Sequence, residues 1–68
     1  MKIKIDDCYY ELIKELLLSQ ESKILDVKKD DQGAIVTMKD GYTKMDLIDI
    51  LNQEPLFQFC KNAAIYIV

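Results

Sequence analysis

Polar and apolar residues alternate at the start of the chain. Lys2-Ile-Lys-Ile5 has a period of two, the mark of a half-buried strand with its isoleucines turned inward. Asp6 or Asp7 then stands where a helix cap is expected. Tyr9, Leu12, Ile13, Leu16 and Leu17 follow at helical spacing and make one apolar stripe, with Glu11, Lys14 and Glu15 away from it. This helix is expected to end near Ser19 or Gln20.

Period two returns at Ser22–Lys29, with Leu25 and Val27 on one face and Ile24, Asp26 and Lys28 on the other. Asp30-Asp-Gln-Gly33 supplies turn chemistry, and Gly33 can take positive φ without steric cost. Ala34–Lys39 reads as the returning strand, Val36 and Met38 on one face and Ile35, Thr37 and Lys39 on the other. Two such strands joined by a short loop make a hairpin. After Asp40-Gly41, Thr43-Lys-Met-Asp46 has the outline of a capping box and opens a helix with Leu47, Ile48 and Leu51 inward. Pro55 breaks that helix. Leu56–Lys61 is expected to form a short second piece that packs Leu56, Phe59 and Cys60. Ala64–Val68 is rich in β-formers and nearly all apolar, which predicts a terminal strand buried on both faces or covered by a partner.

The expected order is β-α-β-β-α-β with a broken second helix. It implies a two-layer α+β domain over residues 1–68, with an antiparallel four-stranded sheet in the ferredoxin-like arrangement and the first and third strands central. The rival arrangement leaves the last strand unpaired in the monomer, to complete a dimer. With 68 residues there is room for one modest core and no second domain.

Composition narrows the chemistry more than it narrows the fold. Twelve acidic residues face nine lysines, giving a net charge of −3, and the sequence has no arginine and no histidine. Such a balance repels a phosphate backbone on average. The missing arginine removes the usual bidentate grip on phosphate or guanine, and the missing histidine removes the commonest general base and metal ligand. Two glycines cannot build a phosphate cradle. The central strands carry lysines where an RNA-stacking sheet would carry aromatics. No catalytic, cofactor or metal site is expected. The pairs Asp6-Asp7 and Asp30-Asp31, and Asp46 with Asp49, read as a cap, a solvated loop and an exposed helix face.

Cys8 and Cys60 are the only cysteines. No stretch reads as a secretory signal or a membrane span, so a cytoplasmic protein with two reduced, packed thiols is the expectation. A disulfide would require the two Cα atoms to come within about 7 Å.

What remains is surface. Tyr10, Leu18, Ile24, Tyr42, Phe57 and Tyr66 fall outside the expected core or beside it, and grouped apolar and aromatic residues mark contact surfaces. The reading is a non-enzymatic protein-binding module, monomer or homodimer, that inhibits, adapts or bridges a larger protein. Small acidic domains of this make-up include phage and mobile-element inhibitors of bacterial defence, anti-CRISPR proteins among them; the analogy is one of size and composition. Two alternatives use the same elements. One binds nucleic acid weakly on a sheet face lined by Lys2, Lys4, Lys28 and Lys39 with Tyr66 beside them. The other is a dimeric small-molecule-binding domain.

Overall fold

The computed structural model describes residues 1–60 and 62–68. Its elements are β1 (Lys2–Asp6), α1 (Tyr10–Leu18), β2 (Ile24–Asp30), β3 (Gly33–Met38), α2 (Lys44–Asn52), a 3-10 turn (Pro55–Phe59) and β4 (Ala64–Ile67). The four strands form one sheet in the order β2-β3-β1-β4, every neighbouring pair antiparallel. The chain is thus a small α+β domain, with β1 and β3 central and the last strand paired within the molecule on β1.

The alternation in β1 and β3 decides which face of the sheet is covered. Ile3 pairs with Val36 and Ile5 with Ala34, and all four are fully buried under the helices. Ile13, Leu16 and Leu17 of α1 and Leu47, Ile50 and Leu51 of α2 close over them in one continuous cluster. The other face carries Lys2, Lys4, Asp6, Asp26, Lys28, Asp30 and Tyr66, and among the described residues the buried side chains of both helices pack on the first face instead.

Three departures from the sequence pattern have local causes. The first is a bulge in β2. Ile24 pairs with Met38 and Asp26 with the next residue, Thr37, so Leu25 is the extra residue. Ile24 therefore turns into the core, 7% exposed, and Leu25 turns out, 66% exposed. The strict period of two had assigned both the wrong way.

The second concerns the start of α1. Asp6 ends β1, and Asp7 takes a positive φ of 60°, so neither caps the helix. Tyr9 occupies the N-cap position with no side-chain cap, so it lies ahead of the helical stripe, and Tyr10 takes its place against the core.

The third is the segment after Pro55. A 3-10 turn eclipses residues three apart, which points Phe57 and Cys60 inward together and leaves Leu56 and Phe59 exposed. The expectation for Leu56 and Phe59 is corrected accordingly; Lys61, the end of the expected helix, lies outside the described residues. In α2, the Thr43–Asp46 capping box forms as expected, while Ile50 is buried and Ile48 only half-buried.

β4 is an edge strand whose residues are exposed or half-buried, so it is not buried on both faces. Gly33 does not use a positive φ; among the glycines only Gly41 does, at 91°. Gly33 is required by closeness instead, since a Cβ there would run into the backbone carbonyl of Ile5.

Candidate functional site

Cys8 and Cys60 are joined by a disulfide, with their Cα atoms 5.4 Å apart. This corrects the expectation of two reduced thiols, and with it the compositional ground for a cytoplasmic location. Cys8 sits in the short β1–α1 connection and Cys60 follows the 3-10 turn, so tertiary folding alone brings together positions separated by 52 in sequence. No helix is long and apolar enough to cross a membrane among the described residues.

The disulfide holds two aromatic rings at one end of the sheet. Tyr9 follows Cys8 and is 81% exposed; Phe59 precedes Cys60 and is 74% exposed. With Tyr10 they form one side of an open cleft of about 870 Å³. Its opposite side is the β2–β3 hairpin turn, Lys29 to Gly33, and Asp7, Cys8 and Asn62 complete the lining. A backbone hydrogen bond fixes the two sides: the Asp7 N–H donates to the Gln32 carbonyl at 2.9 Å. Asp7 makes that bond in a left-handed conformation, which aspartate tolerates better than most residues.

A charged chain runs from the cleft across the uncovered sheet face. The Lys4 ammonium lies 3.0 Å from Asp30 Oδ2 and 3.7 Å from Asp6 Oδ1. The Tyr66 hydroxyl donates to Asp6 Oδ2 at 2.7 Å. Gly33 stands between Asp6 and Asp30 in the register and places no side chain there, so Lys4 reaches across β3 to Asp30. The hydrogen bond with Asp30 raises the Lys4 pKa, and the same bond lowers that of Asp30. Donation to Asp6 raises the Tyr66 pKa, because ionising the phenol would lose the bond and set two anions together.

This network changes the reading of the lysine face. Lys2, Lys4 and Lys28 do share a face with Tyr66, but Asp6, Asp26 and Asp30 are set among them and Lys4 is held by two of these carboxylates. Lys39 lies one residue beyond β3. The face is mixed in sign rather than basic. Among the described residues, no three histidine, cysteine, aspartate or glutamate side chains converge closely enough to hold a metal ion.

The six residues singled out from the sequence do not form one surface. Ile24 is in the core, which overturns its expected exposure. Tyr10, Tyr42 and Phe57 are half-buried and pack against the core. Leu18 is exposed and lines a shallow groove of about 240 Å³ with Lys14, Glu21 and Leu25. Tyr66 lies on the open sheet face, bonded to Asp6. Of the six, only Tyr10 lines the cleft. Tyr9 and Phe59, which helical spacing places inward, are instead exposed and line the cleft. The signal that could have found them is their place directly beside the two cysteines, which becomes informative only once the disulfide is known. No protein-family model, curated protein or solved structure matches this chain.

Proposed function

We propose that this chain is a non-enzymatic protein-binding module that docks a segment of a larger partner into the cleft between the disulfide and the hairpin turn, so as to block or bridge that partner. One observation carries the reading: two aromatic rings, Tyr9 and Phe59, stand almost fully in solvent at the two ends of one covalent cross-link. Leaving large aromatic rings in water forgoes the burial that stabilises a small domain. Rigid exposed aromatics are also the usual anchors of protein interfaces, because little conformational entropy remains to be lost on binding. In the same reading, the strand order β2-β3-β1-β4 under two helices is the ferredoxin-like split βαβ arrangement, used here as a scaffold for the cleft.

Photo-crosslinking tests this proposal. A benzophenone amino acid is placed at Phe59, and in a second protein at Leu25, which is comparably exposed on a different element. In the source cells the Phe59 position is expected to capture a defined protein that the Leu25 position does not, and Tyr9→Ala is expected to weaken that capture. Equal capture from both positions, or none from Phe59, would refute the docking role.

A further inference from the structure

The cleft's chemistry indicates what it holds. It is lined by the rings of Tyr9, Tyr10 and Phe59 and by the carboxylates of Asp7, Asp30 and Asp31. The Lys14 ammonium lies over the Tyr10 ring at 5.9 Å, which leaves Tyr9 and Phe59 as the exposed rings. Asp30 is occupied by Lys4. Asp7 and Asp31 have no ion-pair partner among the described residues. Among the described residues the cation in the lining is Lys29, outnumbered by Asp7 and Asp31, and the chain as a whole carries a charge of −3. Aromatic faces beside carboxylates suit one kind of side chain above others: a planar cation that stacks on a ring while donating hydrogen bonds from its edge.

We infer that the cleft receives an arginine-bearing, cationic segment of a partner protein, with the guanidinium against the Tyr9 and Phe59 rings and its N–H groups donating to Asp31 and Asp7. This rests on the docking role proposed above and adds the charge and side-chain class of the docked segment. A nucleic acid is disfavoured at the same place, because its phosphates would meet the carboxylates. The Cys8–Cys60 cross-link and the Asp7–Gln32 hydrogen bond fix both sides before binding, so the segment meets a preformed site.

The test uses three capped synthetic pentapeptides that differ only in charge: Gly-Arg-Leu-Arg-Gly and its glutamine and glutamate counterparts. Each is titrated into the isotope-labelled, disulfide-intact protein and followed by amide NMR shifts. The arginine peptide is expected to move the signals of Tyr9, Tyr10, Asp31 and Phe59, with an affinity that falls as salt is added. Loss of two rim ion pairs implies binding weaker by about fivefold to tenfold for the glutamine peptide, and weaker still for the glutamate peptide. The double variant Asp7→Asn, Asp31→Asn should bring the arginine peptide to the glutamine level. Asparagine tolerates the left-handed backbone at position 7, so this variant is expected to keep its fold, and an unchanged melting curve checks that.

Equal affinity for the arginine and glutamine peptides, indifference to the double variant, or shifts centred away from the cleft would each overturn the inference, as would the absence of any shift. The two proposals fail separately. A partner captured from Phe59 by a protein that binds arginine and glutamine peptides alike leaves the docking role standing and removes only its cationic preference. Arginine-peptide binding that survives Phe59→Ala and Tyr9→Ala removes the aromatic cleft as the site.

Discussion

Lys4 on β1 and Asp30 on β2 form an ion pair with Nζ 3.0 Å from Oδ2, although β3 lies between their strands. The pair crosses β3 at Gly33, where no side chain obstructs it. It joins an edge strand to a central one through side chains, in addition to the backbone ladder. Both side chains are about three-quarters buried, at 24% and 23% exposure.

This pair makes stability depend on pH in a direction that follows from the shifts. The pKa of Asp30 is lower in the folded state, so its contribution is fully present above the ordinary aspartate value of about 3.9 and is lost as pH falls through the lower folded value. The pKa values of Lys4 and Tyr66 are raised, so their contributions are fully present below the ordinary values of about 10 and are lost as pH rises through the folded ones. Melting temperatures measured across pH are expected to fall below about pH 4 and above about pH 10. Asp30→Asn should flatten the acid limb, and Tyr66→Phe should remove the tyrosine that ionises above its ordinary value in an absorbance titration. Identical acid limbs in wild type and Asp30→Asn would show that other carboxylates govern it.

The disulfide is expected to be a major source of stability. It closes a loop spanning 52 positions, and chain-entropy arguments assign a loop of that length about 4 kcal/mol. Cys8→Ser with Cys60→Ser should lower the urea unfolding free energy by about 2–4 kcal/mol, and thiol labelling of the denatured, unreduced protein should find no reactive cysteine. A loss below about 0.5 kcal/mol, the scale of an ordinary surface substitution, would mean that the cross-link contributes little.

The β2 bulge separates two adjacent residues that the alternation alone would have exchanged. Ile24→Ala opens a cavity beside Met38 and should cost about 2–4 kcal/mol, whereas Leu25→Ala should stay within about 0.5 kcal/mol of wild type. Chemical denaturation of the two variants decides between the observed register and an unbulged strand, for which the order of the two effects would be reversed.

The two glycines should respond differently to alanine. At Gly41 there is open space but a positive φ, so the cost is the backbone preference of about 1–2 kcal/mol. At Gly33 the new Cβ meets the Ile5 carbonyl inside the β1–β3 ladder, so β1 and β3 must separate. Gly33→Ala is expected to cost more than Gly41→Ala and to perturb the amide signals of Ile5 and Asp30. Equal costs would show that the ladder yields easily at that point.

The amino-acid sequence by itself determined the kinds of element, their order and most of the core. Ile3, Ile5, Val36 and Met38 alternate against polar neighbours, and Ile13, Leu16, Leu17, Leu47 and Leu51 recur at helical spacing, so local periodicity fixes which face each element buries. The Thr43–Asp46 cap is equally local. What the tertiary structure decided has no local signal. Whether Cys8 meets Cys60, whether Lys4 reaches Asp30, and whether Tyr9 and Phe59 come to line one cleft all depend on which ends of distant elements come together. Even the exchange of Ile24 for Leu25 required the partner strand, because a bulge is a mismatch in count between two strands and is written in neither one alone.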